Sequence, residues 1–191
     1  RLGAKQNNSK VGRPSVLLEF NGTAHSVIAV FIGVEQTTAM LVDLCGNMIH
    51  HESVPIVIGS GDEVFASIVA SIDRLLPFTA TLGHEMRGIV VGIPGTVDVA
   101  TGRILNAPGL EWEDRDIHRE LQARYESTVF IENDVNLNAL GELGFGAARG
   151  HQTSVTLIIG RGLGAGIILN GTLYHGTHFA AGEIGYVPWN P

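Results

Sequence analysis

The 191-residue sequence is poor in cysteine, in charge and in aromatic side chains. Its single cysteine, Cys45, excludes an internal disulfide and a zinc site built from several cysteines. Charged residues make up only 16% of the chain and hydrophobic residues 45%, which is typical of a folded, well-buried protein rather than a disordered one. The net charge of −7 predicts no nucleic-acid-binding surface.

The sequence also lacks a continuous apolar run of the roughly 20 residues that a membrane span needs, and no signal peptide opens it. We therefore expect a cytoplasmic protein with no membrane partner. Glycine, in contrast, is in excess, with 25 residues in the chain. Glycine above the usual share of about 7% is typical of tight turns and of backbone brought close to a ligand.

Residues 1–14 differ in composition from the rest of the chain. They contain no acidic residue and four basic ones, Arg1, Lys5, Lys10 and Arg13. Polar side chains together with Gly12 and Pro14 predict a flexible segment. A solvated terminus is the simpler interpretation. The functional one is an arm that contacts nucleic acid, or the end of a DNA-binding module lying upstream.

Periodic hydrophobic patterns predict an α/β fold. Dense β-branched runs predict strands at 26–32, 37–44, 48–58, 87–93 and 127–131, the first three forming an antiparallel unit. Apolar residues at helical spacing predict helices at 61–76, 117–125 and 134–144, and Pro77 should end the first of them. Between them, 96–105 is typical of a hairpin with its turn at Thr101-Gly102.

The polar residues Glu132, Asn133 and Asp134 follow the predicted strand 127–131 directly. At the carboxyl end of a strand in an α/β sheet, such residues face the crevice where ligands bind. The amide of Asn133 can donate and accept hydrogen bonds, and the carboxylate of Asp134 can accept a hydrogen bond or a proton. This pairing suits a polyhydroxylated ligand such as a sugar. Asn and Asp are also preferred helix N-caps, so capping is the structural alternative.

A strand, a glycine and a second strand occur twice in the chain. Val-Phe-Ile-Gly at 30–33 and Leu-Ile-Ile-Gly at 157–160 each precede another strand and a turn glycine. The repeat predicts a duplicated fold whose copies face each other across a cleft, the second copy being incomplete. Four glycines alternate along the second hairpin: Gly160, Gly162, Gly164 and Gly166. Their backbone N–H groups could approach a phosphate closely, although glycine-rich hairpins without a ligand are common.

Glu183 lies in the segment 178–186 close to two glycines, where its carboxylate can accept hydrogen bonds from sugar hydroxyls. His175, His178 and Glu183 could also be taken for metal ligands. Their loop placement and the lack of cysteine partners favour solvated loop histidines instead, so no metal site is predicted.

Six segments, in their order and spacing, resemble the ROK family of sugar kinases and sugar-responsive transcriptional repressors. They are LVDLCGN at 41–47, GIPGTVD at 92–98, APGLEW at 107–112, ENDVNLNALGE at 132–142, GRGLGAGIILNG at 160–171 and AAGEIG at 180–185. The resemblance implies the actin-like ATPase (ribonuclease H-like) fold, an α/β fold with duplicated lobes around a cleft. It divides the chain into a basic linker (1–20), a first lobe (21–150) and the start of a second, incomplete lobe (151–191).

The resemblance also implies roles for single residues. Gly95, Asn133, Asp134 and Glu183 would bind the sugar, and Asp134 matches the base that activates a sugar hydroxyl in the kinases. The Gly12-Arg13-Pro14 segment resembles the linker that follows an N-terminal winged helix-turn-helix domain in the repressor branch. The chain thus resembles a repressor body without its DNA-binding domain and without the C-terminal part.

Departures from the family pattern bear on activity. The kinases carry an Asp-x-Gly-Gly-Thr-type loop for magnesium and ATP phosphate, where this chain has Phe31, Gly33, Val34 and Glu35. Two further residues depart from the pattern: Arg161 replaces a threonine of the second loop, and Tyr186 replaces a histidine used for sugar contact and structural zinc. The resemblance therefore favours a sugar-sensing regulator over an enzyme; the alternative is an ATP-dependent, glucokinase-like sugar kinase.

The expected partners follow from the same resemblance. They are a sugar or sugar-phosphate effector, DNA through an upstream domain, and a second copy of the chain in a homodimer. No cofactor is expected, since ATP and Mg²⁺ belong only to the kinase alternative. Zinc is not predicted because the family's cysteine-rich zinc segment is absent from this sequence.

Overall fold

The computed structural model describes residues 18–33, 35–56, 60–160 and 162–188. Its strands are β1 His25–Ile32, β2 Gln36–Asp43, β3 Met48–Pro55, β4 Glu85–Ile93, β5 Thr96–Asp98, β6 Arg103–Ala107, β7 Trp112–Arg115, β8 Val129–Asn133, β9 Ser154–Ile159, β10 Leu163–Leu169 and β11 Thr172–Leu173. Its α-helices are α1 Gly61–Leu82, α2 Ile117–Arg124 and α3 Asp134–Phe145. The predictions made for residues 1–14, Val34 and Arg161 lie outside the described residues.

The central sheet has five strands in the order β3-β2-β1-β4-β8. The first three strands form the predicted antiparallel unit, and β4 and β8 run parallel to β1. The register places Phe31 beside Gly92, and Gly92 beside Glu132. The carboxyl ends of β1, β4 and β8 therefore meet at one edge of the sheet, the edge where ligands bind in parallel α/β sheets.

Helix α1 covers one face of this sheet. Val64, Ile68, Ile72 and Leu75 recur every three or four residues, so they share one face of the helix, and all are fully buried. They belong to one hydrophobic core with alternating sheet residues, among them Ile28, Leu41, Ile89 and Val91. Burying each such side chain contributes about 1.5–3 kcal/mol to folding, which makes this layer the main source of stability.

Among the described residues, α1 is long and apolar enough, by length and composition alone, to cross a membrane. The sequence contains no continuous apolar run here, because polar residues interrupt the apolar ones along the helix. Its apolar face packs against the sheet in the structure. We therefore assign α1 as the core helix of a globular fold.

The prediction that Pro77 ends α1 is wrong. The helix continues to Leu82 and ends at Gly83, whose φ of 64° is left-handed. Pro77 itself is exposed, while Leu75 and Thr79 on either side of it are buried on the core face. Packing of that face holds the last turns helical, although a proline removes one hydrogen-bond donor and crowds the carbonyl four residues earlier.

Replacing Pro77 with alanine is expected to stabilise the protein by about 2 kcal/mol. An interior helix proline costs roughly 3 kcal/mol relative to alanine, and the freer unfolded chain offsets about 0.4–1 kcal/mol of that gain. Urea unfolding of the full-length protein measures the difference. Arg74→Ala, exposed on the same helix, is the control and should change stability by less than about 0.5 kcal/mol. Equal or lower stability for Pro77→Ala would mean that the helix accommodates the ring without cost.

Strands β5, β6 and β7 form a small antiparallel sheet. The predicted hairpin is confirmed, and Gly102 adopts a left-handed φ of 71° at its turn. Strand β7 was not predicted, because three of its four residues are charged. It pairs with β6 all the same, and Trp112 anchors it in the core at 2% exposure.

Strand β8 begins and ends two residues later than predicted, so Glu132 and Asn133 belong to the strand rather than to a loop. Helix α3 then starts immediately at Asp134. The strand-to-helix junction is therefore a direct turn, which fixes the directions of these polar side chains more firmly than a loop would.

Strands β9, β10 and β11 form a second antiparallel sheet in the order β11-β10-β9, which repeats the β3-β2-β1 arrangement. The predicted duplication is confirmed in these strands. Helix α3 packs directly on β10, where a Cβ at Gly166 would overlap the methyl group of Ala139 and one at Gly164 would lie 2.9 Å from Val135. Glycine at both positions lets the strand approach the helix closely.

Candidate functional site

Asn133 ends β8 and caps α3. Its Oδ1 accepts a hydrogen bond from the backbone N–H of Asn136 at 2.9 Å, which confirms capping, the structural alternative for this residue. Its Nδ2 donates to the carbonyl oxygen of Gly95 at 2.9 Å and to Oε1 of Glu183 at 3.4 Å. Asn133 is only 8% exposed. Its side chain therefore joins two other residues that were predicted to bind the sugar.

Asp134 and Glu183 form the acidic part of the site. Asp134 Oδ1 accepts a hydrogen bond from the backbone N–H of Val135 at 2.9 Å. Burial raises the pKa of Asp134 above its ordinary value of 3.8, against the lowering effect of backbone hydrogen bonds. Burial, and secondarily the charge of Asp134, raises the pKa of Glu183 above 4.5. The charge of one carboxylate therefore affects the other, and hydrogen-bond donors would stabilise both charges.

A cavity of about 250 Å³ opens beside Glu183. Its lining residues are Gly95, Thr96, Asn106, Ala180, Glu183 and Tyr186. A Cβ at Gly95 would overlap the carbonyl oxygen of Asn106. Glycine is required here because the chain passes so close to β6, and its presence brings the β5–β6 hairpin to the wall of the cavity.

The segment that carries Glu183 is held against the edge of β10. The backbone N–H of Ala165 donates to the carbonyl oxygen of Gly182 at 2.8 Å. Gly182 has a left-handed φ of 86°, and a Cβ there would overlap the Ala165 carbonyl oxygen. Gly185 also passes close to β10, with Leu163 O 2.6 Å from where its Cβ would lie. These two glycines therefore fix the position of the carboxylate between them.

Glu132 and His175 tie the same segment to the end of β8. One carboxylate oxygen of Glu132 accepts from the backbone N–H of Asn133 at 2.8 Å and from Asn136 Nδ2 at 3.0 Å. The other lies 2.8 Å from His175 Nε2, which donates to it. The carbonyl oxygen of His175 in turn accepts from the backbone N–H of Ala181. The interpretation of this histidine as a solvated loop residue is wrong, because it braces the loop against the strand.

His178, the other loop histidine considered as a metal ligand, is exposed, as expected for a solvated residue. Within the part of the chain that the structure describes, no three His, Cys, Asp or Glu side chains are grouped closely enough to hold a metal ion.

The nucleotide side of the cleft, as the family resemblance defines it, begins at the carboxyl end of β1. Phe31 is 41% exposed there and stands beside Gly92, whose missing side chain leaves room for Leu137 of α3. Beyond it the backbone N–H of Gly33 donates to the carbonyl oxygen of Gln36 at 2.9 Å. This edge of the sheet therefore carries a partly exposed aromatic ring at the position where the family resemblance implies an aspartate in the kinases.

The glycine-rich hairpin divides into two halves. Gly164 and Gly166 are required by the packing of β10 on α3. Gly160 and Gly162 lie at the tip of the hairpin with open space around their Cβ positions. Packing does not require glycine at Gly160 or Gly162. Phosphate binding by this hairpin stays a prediction.

Sequence reasoning missed four residues of the cavity wall: Thr96, Asn106, Ala180 and Tyr186. The signal for Asn106 and Thr96 was available, since both flank the predicted hairpin that follows Gly95. Tyr186 was noted only as the replacement of a histidine. Periodicity does not show that the open end of a hairpin and a loop distant in sequence meet across a cavity.

The mixed five-stranded sheet, followed by a second copy of its antiparallel unit, defines an α/β protein of the actin-like ATPase class. The chain belongs to the ROK family, whose sequence profile matches residues 27–191. The fold class and the family resemblance predicted from the sequence are confirmed.

Relatives occur in both branches of the family. The chain is 32% identical over 183 residues to the xylose repressor of Caldicellulosiruptor bescii, covering 95% of this chain and 46% of the relative. It is 30% identical over 164 residues to the glucokinase of Streptomyces coelicolor, covering 86% of this chain and 50% of the relative. The chain therefore spans about half the length of the curated relatives it matches.

Solved structures give the same picture. A ROK family transcriptional regulator, a homologue of the Escherichia coli MLC protein, superposes with a TM-score of 0.84 at 28% identity, covering 94% of this chain and 45% of that one. A ROK glucokinase from Streptomyces griseus, solved with glucose and AMPPNP, superposes with a TM-score of 0.75 at 30% identity, covering 85% and 50%.

Proposed function

We propose that this chain is the sugar-sensing body of a ROK transcriptional repressor, in which an effector bound beside Asp134 and Glu183 modulates DNA binding. Two observations support the proposal: Glu183 lines a cavity beside Gly95, and Phe31 is exposed at the position where the family resemblance places the kinases' metal-binding carboxylate. The 32% identity to a xylose repressor, in an alignment that covers 95% of this chain, supports it.

The cavity wall suits a ligand with many hydroxyl groups. Glu183 supplies a charged acceptor on the wall, and Asp134 lies near enough to Glu183 to affect its pKa. Hydrogen bonds to charged groups are about twice as strong as those between neutral groups. Thr96 and Asn106 add a hydroxyl and an amide, each able to donate and accept. Asn133 orients Gly95 and Glu183 toward the same space. A sugar ring, with hydroxyls around its edge, matches this set better than an apolar ligand does.

Phosphoryl transfer requires different chemistry at the front of the cleft. Catalysis there depends on positioning ATP and on neutralising the charge of its phosphates with Mg²⁺. Mg²⁺ binds oxygen ligands, which the Phe31 ring does not offer. Glu35, exposed four residues further on, adds negative charge where phosphate would approach. We propose that, among the described residues, the carboxyl end of β1 does not hold Mg²⁺ and the phosphates of ATP.

An ATP-dependent sugar kinase is the second candidate. It is favoured by 30% identity to a glucokinase and by Asp134, which stands at the start of α3 where a general base could take a proton from a sugar hydroxyl. The raised pKa of Asp134 brings this carboxylate closer to the range in which a base works well.

The effector would act by favouring one conformation over another, since a ligand shifts an equilibrium only through different affinities for its two states. The cavity has two sides: Gly95, Thr96 and Asn106 on one, and Ala180, Glu183 and Tyr186 on the other. A sugar that contacts both sides stabilises the closed arrangement. We propose that closure alters how a homodimer presents DNA-binding domains located upstream of this chain.

The test uses the full-length protein with aldoses, measuring binding by calorimetry and ADP formation in the presence of ATP and Mg²⁺. We expect at least one sugar to bind, and ADP formation to stay at its sugar-free rate. Sugar-dependent ADP formation at a kinase-like turnover of about 1–100 s⁻¹ would establish the second candidate and overturn the first.

A further inference from the structure

His175 does not line the cavity, yet a hydrogen bond connects it to the strand end that also carries Asn133. We infer that His175 is a positioning residue of the proposed site, whose hydrogen bond to Glu132 keeps the Glu183 carboxylate at the cavity wall before a ligand binds. The inference rests on the proposed function for its ligand, because it concerns the same site.

The chain reaches Glu183 through residues 175–183, which we call the Glu183 loop. All of this loop lies within the described residues, and it contains neither helix nor strand. The backbone N–H of Ala181 donates to His175 O at 3.1 Å within the loop, and the Ala165 N–H joins β10 to Gly182 O at 2.8 Å. Among the described residues, the attachment of the loop to the end of β8 is made by side chains.

Two side-chain hydrogen bonds fasten the Glu183 loop to the end of β8, one at each end of the loop. His175 Nε2 donates to Glu132 at 2.8 Å, whereas Asn133 Nδ2 is 3.4 Å from Oε1 of Glu183. The usual N–H···O distance is about 2.7–3.2 Å, so the bond at His175 is well formed and the bond at Glu183 itself is long. The loop is therefore fastened more firmly at His175 than at the carboxylate that lines the cavity.

The charge of Asp134 makes this second attachment necessary. Burial, and then the charge of Asp134, raises the pKa of Glu183 above 4.5. The second effect means that the two carboxylates repel each other when both are ionised. A long hydrogen bond from Asn133 opposes that repulsion only weakly, so the position of Glu183 depends on the rest of its loop.

Glu132 is a well-fixed acceptor for His175. Its side chain is only 13% exposed. One of its carboxylate oxygens is held by the Asn133 backbone N–H at 2.8 Å and by Asn136 Nδ2 at 3.0 Å, which leaves the other oxygen for His175. A hydrogen bond to a charged group is stronger than a neutral one, and partial burial shields it from competing water.

The backbone of the loop also needs support from His175. Phe179, in the middle of the loop, adopts a left-handed φ of 57°. For a bulky side chain this conformation is unfavourable and persists only where the surrounding structure holds it. The Phe179 ring lies edge-on to the His175 imidazole, with the ring centroids 6.5 Å apart. Loss of His175 would therefore release the first residue of the loop and its strained centre together.

His175→Ala is expected to weaken sugar binding by about tenfold in calorimetry of the full-length protein. Losing a hydrogen bond to a charged group shifts a conformational equilibrium by roughly 10- to 100-fold, and apparent affinity falls with the fraction of molecules whose loop is in place. His175→Gln should recover most of the affinity, because its side-chain amide can donate to the same carboxylate. A loss that glutamine does not recover, or no loss in His175→Ala, would overturn the inference.

His178→Ala is the matched control, since His178 belongs to the same loop but is exposed and does not line the cavity. It should bind sugar as the wild type does. Equal losses in His178→Ala and His175→Ala would show that any change to the loop weakens binding, and would overturn the inference.

Hydrogen exchange of the ligand-free, full-length protein tests the position of the loop without any sugar. Mass spectrometry should show residues 176–183 exchanging about tenfold faster in His175→Ala than in the wild type or His178→Ala. Unchanged exchange in His175→Ala would overturn the inference and leave the proposed function standing. Faster exchange in a protein whose wild type binds no aldose would support the positioning role and contradict the proposed function instead.

Discussion

Asp134→Asn is expected to weaken sugar binding by roughly 10- to 100-fold, the equivalent of losing a hydrogen bond to a charged group worth about 1.5–3 kcal/mol. Asparagine keeps the shape of the side chain and an oxygen that can still accept from the N–H of Val135, as Asp134 does at 2.9 Å. The loss therefore reports on charge and not on packing. Calorimetry of the full-length protein with the sugar that binds gives the measurement.

The same variant carries an expectation for stability. Burial raises the pKa of Asp134 above 3.8 in the folded protein, so the folded state keeps this proton to higher pH than the unfolded chain. Stability is then lost as pH rises through the folded pKa. Asp134→Asn should therefore unfold at higher temperature than the wild type at pH 7, and the difference should disappear below about pH 4, where both side chains are neutral.

Glu126→Gln is the matched control for both measurements, since Glu126 is exposed and lies in the short connection before β8. It should change neither affinity nor the pH profile. Equal sugar affinity in Asp134→Asn and the wild type would remove Asp134 from the site. A melting temperature that falls in Asp134→Asn at pH 7 would contradict the burial account.

Gly182→Ala is expected to reduce sugar affinity by roughly 10- to 100-fold, because it would displace the Glu183 carboxylate, and a lost hydrogen bond to a charged group costs about 1.5–3 kcal/mol. A methyl group at this position would overlap the carbonyl oxygen of Ala165, and the left-handed φ of 86° is unfavourable for alanine. The backbone must move away from β10, and Glu183, the next residue, moves with it. The core of α1 and the central sheet is elsewhere, so most of the fold should persist.

Gly150→Ala separates displacement from backbone strain. Gly150 has a similar left-handed φ of 82°, but nothing lies within 4 Å of its Cβ position. We expect a modest loss of stability there and no loss of sugar binding. If Gly182→Ala bound the sugar as tightly as Gly150→Ala, the tight contact with β10 would not be what positions Glu183. Circular dichroism and urea unfolding verify that both variants are folded.

Much of the fold was predictable because its signals are local. The strand patterns of β1, β2 and β4 and the helical spacing in α1 each follow from buried residues at fixed periods. The prediction failed where packing outweighs local preference. Pro77 stays inside α1 since the core face continues to Thr79, and the charged strand β7 pairs with β6 because Trp112 anchors it.

The candidate site was predictable only in part. The acidic and amide residues at the end of β8 stand out by type and position, and the structure brings Gly95, Asn133 and Glu183 into contact. The hydrogen-bond partners of these residues did not follow from the sequence. The side chain of Asn133 forms hydrogen bonds with Asn136, Gly95 and Glu183. The last two bonds join segments that are far apart in the sequence, so the sequence alone does not predict them.

Glu132 illustrates the same limit. Its carboxylate at the end of a strand suggested a ligand contact. In the structure it accepts hydrogen bonds from Asn136 and His175, and so holds the neighbouring site residues in place. The glycines of β10 are a further case, because Gly164 and Gly166 are required by close packing against helix α3. A sequence shows which residues could bind a ligand, but which of them the fold itself uses is decided by three-dimensional packing.

The most direct test of the account is to add sugar to the full-length protein bound to fluorescently labelled operator DNA, following release by anisotropy. The account predicts that the wild type leaves the DNA over the same sugar concentrations that fill its binding site, and that Asp134→Asn remains bound until roughly 10- to 100-fold more sugar is present. Saturation of the wild type with sugar while the DNA stays bound, or release of both proteins at the same concentration, would contradict it.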